Sequence, residues 1–512
     1  MVSSVYSGAI EGLKAKLIEI EADISPGFKR FDLVGLPDKA VEESKERIKS
    51  AIKSSGLKPP CSRAEKILIN LAPADLKKEG ALYDLPIAIS YLLASKQITT
   101  DNLQKRLILG ELSLNGKLRP IKGALSFSLL GEKHGFEEII LPRENAAEAS
   151  LISLLQKSNI KIIGADNLKE VVEYLEDGSS ISPFKEKLSF KKPSYDFDIG
   201  WIKGQHFAKR ALEIAAAGGH NLLMIGPPGG GKTLLARAMP TILPELSPQE
   251  ILEVTNIYSI AGLLNSKYPI VLQRPFRAPH HTASKVAIVG GGNPIKPGEI
   301  TLAHRGVLFL DEFPEFHRDV IESLRQPLEE GSISLLRAKQ KVTFPCRFIL
   351  VAASNPCPCG HLNNPFKECV CSPSQIAKYR RKLSGPIIDR IDLFVELPYV
   401  PFEDLISPEK ENLSEEIRQK VVFARKIQAQ RFKKGNILTN SEMGLSQIKK
   451  YCSLEESGLE VLKESVRKGT LSPRGFYRVL KVARTIADLE GSEKIKTSYL
   501  QEALMYRTNY LV

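Results

Sequence analysis

The chain has 512 residues, too many for one hydrophobic core, so about two to four domains are expected. With 43% hydrophobic and 26% charged residues it has the balance of an ordinary soluble protein, and no apolar run reaches the ~18 residues of a membrane span. A net charge of +13 favours a polyanionic partner, and Met1-Val2-Ser3-Ser4 lacks the charged region and apolar core of a secretory signal, so a cytoplasmic location without membrane attachment is expected.

Residues 1–175 mix two periodicities. Strand-like alternation runs through Ala15–Ala22, a helical stretch through Asp38–Ser54, and further strands are predicted at Ile67–Leu71 and Ile139–Leu141. The mixture indicates an α/β domain. Residues 176–195 carry Ser179, Ser180, Ser182, Pro183 and Pro193 without clear periodicity and read as a linker.

Residues 196–397 alternate strands and helices around Gly226-Pro227-Pro228-Gly229-Gly230-Gly231-Lys232-Thr233, a P-loop between the apolar run Asn221–Ile225 and the helix-like Leu234–Ala238. Such a loop implies ATP. Its glycines let backbone N–H groups curl around phosphates at a helix N-terminus, Lys232 would reach the β- and γ-phosphates, and Thr233 would hold Mg²⁺. Further on, Gly306–Leu310 is an apolar strand ending in Asp311-Glu312, a Walker B pattern. Asp311 would hold the Mg²⁺ hydration shell and Glu312 would orient or deprotonate the attacking water.

Seven cysteines are present, and Cys357, Cys359, Cys369 and Cys371 fall within fifteen residues. In a reducing compartment this spacing admits a tetrahedral Zn²⁺ site or a set of free thiols, with His361 as a substitute ligand. Cys61, Cys346 and Cys452 are isolated and read as small core residues. Residues 398–512 carry Glu, Lys, Arg and Leu at helical spacing and offer no good strand, which predicts a helical bundle.

A P-loop α/β core followed by a small helical lid is similar to the architecture of AAA+ ATPases. That resemblance extends to Asn355, which follows the strand-like Arg347–Ala353 and resembles sensor 1, its amide holding the lytic water beside Glu312. Arg390, in Ser384–Asp392, stands where related ATPases present a finger to the neighbouring subunit; a structural Asp-Arg pair is the other reading. Leu471–Phe476 resembles a sensor 2 segment, with Pro473 near a helix start and Arg474 in its first turn, while Arg478 one turn later could serve instead. Gln205, in Gly204-Gln205-His206, resembles the stretch beside the adenine.

Longer runs identify the family. Ala215–Asn221, Arg274–Thr282, Gly290–Pro294, Asn355–Gly360, Ser384–Asp392 and Val482–Leu489 resemble the Mg-chelatase-like AAA+ proteins of the YifB/ComM family over nearly the whole chain. The resemblance implies two insertions in the core, with candidates at Phe276–Gly298 and in a pre-sensor 1 hairpin at Ser332–Phe344. In members that translocate on DNA these elements point into the pore of a hexamer, so Arg337, Lys339 and Lys341 become candidate phosphate contacts, or else an exposed basic turn. His280 and His281 read as packing residues first, with pore contacts or metal ligands as alternatives. Residues 1–175 look like the Lon-protease-like domain, notably at Lys78–Ala88 and Gly110–Leu118. The positions matching the Ser-Lys dyad are Leu82 and Leu125, so peptidase chemistry is not expected.

The fold implied is therefore a multidomain α/β chain: a Lon-like domain, an AAA+ core with its hairpin, and a helical lid. The activity implied is a hexameric ATP- and Mg²⁺-dependent DNA helicase or branch-migration factor acting in recombination during natural transformation. The alternative is a magnesium-chelatase-type ATPase that remodels a protein partner.

Overall fold

The alternation around residue 18 becomes the long strand Lys14–Pro26, which pairs with Ser3–Glu11 on one side and Glu65–Ala72 on the other, antiparallel to both. The computed structural model describes residues 2–507 apart from 157, 186–194, 196, 265, 266, 294, 338, 339, 366, 384, 401, 406–411, 434, 436, 469 and 470. Residues 186–194 of the expected linker thus lie outside the described residues. The chain divides into two units, Met1–Lys191 with Ser247–Val271, and Lys192–Leu246 with Leu272–Val512. No helix among the described residues is long and apolar enough to cross a membrane.

The first unit is built on a seven-stranded mixed sheet, in the order Arg30–Val34, Glu65–Ala72, Lys14–Pro26, Ser3–Glu11, Arg106–Ile108, Glu138–Pro142, Lys161–Ala165. Neighbouring residues along its strands go to opposite faces, as the period of two requires. Ile108, Ile140 and Ile163 pack with helices Lys39–Ser54, Asp84–Ala94 and Leu168–Asp177, while Leu107, Ile139 and Ile162 pack with helix Ala124–His134. Helix Lys39–Ser54 starts where expected because the Asp38 carboxylate accepts the Val41 N–H at 2.8 Å. Leu82 and Leu125 are apolar packing residues here.

The boundary drawn from sequence, a continuous core from 196 to 397, differs from the structure at one helix. Pro248–Ala261 groups with the first unit, because Leu252 packs with Leu125 and Leu151. Its polar face is satisfied there as well. The Ser126 hydroxyl donates to Asn256 Oδ1 at 2.6 Å, the Asn256 amide donates to the Leu13 carbonyl at 3.1 Å, and the Ser259 hydroxyl donates to the buried Glu148 carboxylate at 2.5 Å.

The second unit holds a five-stranded, wholly parallel sheet in the order Phe276–Arg277, Val307–Leu310, Ile349–Ser354, Leu222–Ile225, Leu393–Glu396. Its central strands are buried along their length, as expected when both faces are covered. The expected insertion at 276–298 opens on the sheet's edge strand and continues into a short helix, Lys285–Val289, and a small ladder pairing Gly290–Gly291 with Lys296–Pro297. The expected hairpin is present as Ser332–Arg337 and Gln340–Pro345, with Ser332 opposite Pro345.

From 413 onward the regular elements described are helices, the main ones Leu413–Arg431, Leu445–Tyr451, Glu456–Arg467, Pro473–Leu489 and Thr497–Met505. They share one apolar core with the sheet: Val421, Ala424, Ala483 and Ile486 belong to the same cluster as Ala215 and Leu222. Arg425 and Gln428 donate to the carbonyls of Ala216 and Ala217, and His220 Nε2 lies 2.7 Å from Thr485 Oγ1. The buried Asp488 is matched by Arg431, Arg484 and Asn440, so its charge is paired.

Candidate active site

In a parallel sheet the loops that follow strand C-termini gather at one edge, where ligands collect. Three adjacent strands here deliver the P-loop after Ile225, Asp311 and Glu312 after Leu310, and Asn355 after Ser354. The P-loop passes into helix Lys232–Ile242 through Gly229 and Gly231, whose φ values of 78° and 85° lie in the left-handed region that glycine enters without strain. Nothing stands within 4 Å of a Cβ placed on either glycine, so their left-handed backbone, and not crowding, is what calls for glycine there.

Lys232 is folded onto that loop. Its ammonium donates to the carbonyls of Gly226 at 2.7 Å and Pro227 at 2.8 Å, and to Asn355 Oδ1 at 3.1 Å. Burial holds its pKa below the ordinary lysine value, against the opposing pull of Asp311 and Glu312. The Thr233 hydroxyl donates to Asp311 Oδ2 at 2.9 Å, which brings together the two oxygens that would hold Mg²⁺. A hydroxyl beside a carboxylate, next to a lysine on an anion-binding loop, is a donor set that fits Mg²⁺ with a nucleoside triphosphate.

Glu312 sits at φ 51°, in the left-handed region that costs a non-glycine residue on the order of 1 kcal/mol. Its side chain reaches His281, whose Nδ1 lies 3.1 Å from Glu312 Oε2. Packing was the first expectation for the histidine pair. The rings of His280 and His281 lie 4.2 Å apart, tilted by 35°, but His281 also holds the candidate base. The two residues lie on different segments of the chain, so no sequence spacing marks the contact.

The remaining predicted residues fall into distinct environments. Gln205 is buried, and its amide donates to the carbonyls of Pro398 at 2.9 Å and Gly230 at 3.3 Å, so it braces the P-loop backbone. Arg390 is buried on its own chain, with its guanidinium on the Glu329 carboxylate and the Pro386 carbonyl. Arg474 is 63% exposed and lies 3.8 Å from Asp389, whereas Arg478 donates to the buried Asp392 at 2.5 Å. Burial alone would raise the Asp392 pKa, but Arg478 and His220 outweigh it and hold the carboxyl far below the usual range. Arg478 is thereby committed to an internal charge, and Arg474 is the arginine of this helix left near the surface.

Lys341 is exposed on the hairpin and Arg337 ends its first strand; Lys339 lies outside the described residues. Cys357, Cys359, Cys369 and Cys371 converge, with all four sulfurs within 4.8 Å of one another. The His361 ring instead lies 3.2 Å from the Asn364 amide and takes no part in the quartet.

Comparison with known proteins gives one consistent result. Three family models cover most of the chain: subunit ChlI of Mg-chelatase over residues 20–145, magnesium chelatase subunit ChlI over 198–405, and its C-terminal part over 411–507. Competence protein ComM of Haemophilus influenzae is 44% identical over 511 residues, covering 98% of this chain and 97% of that protein. YifB of Salmonella typhimurium, described as uncharacterized, is 44% identical over 508 residues, covering 98% and 96%. Lon protease of Bacillus thuringiensis is 26% identical over 162 residues, 31% of this chain and 20% of that protein.

Proposed function

The chain belongs to the Mg-chelatase-like ATPase family that includes ComM and YifB, and from that premise we propose that it is a ring-forming, ATP-driven motor acting on DNA, a helicase or branch-migration factor. The observation that carries the ATPase half is the convergence of Lys232, Thr233, Asp311, Glu312 and Asn355 at one sheet edge.

In this reading the P-loop N–H groups and Lys232 bind the β- and γ-phosphates, and Thr233 and Asp311 hold Mg²⁺. When bound, Mg²⁺ neutralises charge on the phosphate oxygens. Lys232 exchanges its neutral carbonyl acceptors for phosphate, a stronger charge-assisted partner. Glu312 orients the attacking water and takes its proton, and Asn355 supports the same water through its amide. Arg390 of a neighbouring subunit would supply the positive charge that stabilises the transferring phosphate, after releasing Glu329. Arg474 would report the γ-phosphate to the C-terminal helices, acting as a lid.

The DNA half rests on the hairpin with Arg337, Lys339 and Lys341, on the net charge of +13, and on the competence protein among the relatives. A hexameric ring places such hairpins around a pore. The test is ATP turnover measured with single-stranded, duplex and branched DNA. Turnover should rise with single-stranded or branched DNA and disappear in Lys232→Ala and Glu312→Gln. Turnover indifferent to every DNA structure would reject the DNA motor and favour a protein-remodelling ATPase.

A further inference from the structure

Four cysteines meet where a disulfide is absent. All are free, and the Sγ atoms of Cys357, Cys359 and Cys369 are separated by 3.4, 3.6 and 3.7 Å, with Cys371 inside the same 4.8 Å sphere. A tetrahedral Zn²⁺ site with bonds of ~2.3 Å has sulfur-to-sulfur edges of about 3.8 Å. The spacing therefore suits one ion at the centre of the quartet. An iron–sulfur cluster would hold its thiolates much further apart, since its own atoms must fit between them.

The position of the quartet gives it a second meaning. Cys357 follows Asn355 by two residues, and Gly360 lies in the turn between the two cysteine pairs. Gly360 adopts φ +79°, and a Cβ there would meet Pro228 Cδ and Cγ at 2.7 Å, with Asn355 Cγ at 3.9 Å. Pro228 belongs to the P-loop, and Asn355 shares a hydrogen bond with Lys232. The turn at Gly360 thus lies against Pro228 of the P-loop and beside Asn355.

We propose that Cys357, Cys359, Cys369 and Cys371 bind a single Zn²⁺ as four thiolates, and that this ion fixes the turn at Gly360 against Pro228 so that Asn355 is set for hydrolysis. Four S–H protons pass to solvent as four Zn–S bonds form. The coupling arm rests on the ATPase reading above; the metal arm does not.

The experiment starts with the full chain purified under reducing, chelator-free conditions. Metal analysis should give about one Zn²⁺ per chain, with the accessible members of the quartet, Cys359, Cys369 and Cys371, protected from alkylation until a chelator is added. Near-zero zinc, or stoichiometric iron, overturns the site. Cys371→Ser should lose zinc; because that variant could fail to fold, replacement of zinc by Co²⁺ in the unmodified chain provides a second reading. Intense sulfur-to-cobalt charge-transfer absorption supports four thiolates, and its absence overturns them.

The coupling is tested by Gly360→Ala, which keeps every cysteine but presses a methyl group onto Pro228. It should retain one zinc per chain and lose about tenfold in ATP turnover, with nucleotide affinity less affected. Full turnover with zinc retained overturns the coupling. Absence of turnover in the unmodified chain would instead count against the ATPase reading, and zinc content and thiol protection would still decide the metal arm.

Discussion

Glu312 is held in a strained backbone conformation with its carboxylate on His281, so its position is specified by more than a strand end. A general base contributes about 100- to 10,000-fold to a rate. Glu312→Gln should therefore bind ATP with little change and lose at least about 100-fold in turnover, as measured by nucleotide titration beside steady-state hydrolysis. Lys232→Ala should instead lose binding. Arg390 presents a different test, because its guanidinium is buried on Glu329 of its own chain. If it serves a neighbouring subunit, Arg390→Ala keeps ATP binding and abolishes hydrolysis. If hydrolysis survives, the pair with Glu329 is structural.

At the scale of elements, what the sequence revealed were local rules and what it concealed were contacts across the chain. The strands near 18, 69 and 140, the helix beginning near Asp38 and the Pro473 helix start follow from periodicity or capping chemistry confined to a few residues, whereas the hairpin at Ser332–Phe344 was expected from the family resemblance. Helix Pro248–Ala261 obeys the same rules, with Ser247 and Glu250 forming its capping box, yet its packing partner could not be read. Leu125, Leu151 and Glu148, which select its place, lie about a hundred residues away. The His281–Glu312 contact and the seat of Gly360 on Pro228 were hidden for the same reason.

That helix carries its own prediction. Burial pushes the Glu148 carboxyl up to about 6, against hydrogen bonds from Ser259 and the Leu125 N–H. Because the folded value lies above the unfolded one, the stabilisation is complete below about pH 4.5 and is lost as pH rises through about 6. Glu148→Gln keeps an acceptor for Leu125 and Ser259 without a charge to bury. Relative to this variant, the unmodified chain should gain about 1 kcal/mol of stability between pH 7.5 and 5, as followed by denaturant unfolding. Glu148→Ala should lose about 1–3 kcal/mol, because buried donors are left unpaired.

For the whole molecule the question is whether the positive charge is a general property or is spent at one place on DNA. A protein that neutralises phosphates releases counterions, so log affinity falls with log salt by roughly 0.7 per contact on a single strand. If Arg337, Lys339 and Lys341 each meet a phosphate, replacing all three with alanine should reduce that slope by about 2 and weaken binding similarly for every sequence. Basal ATP turnover should survive, because Lys232, Thr233, Asp311 and Glu312 make their contacts without these residues. Stimulation by DNA should fall with the slope. An unchanged slope with normal stimulation would move the DNA contacts off the hairpin. The remaining charge of a chain at +13 would then be the place to look for them. Loss of basal turnover would instead tie the hairpin to the ATP site, since it leads into Ile349–Ser354, the strand that ends at Asn355.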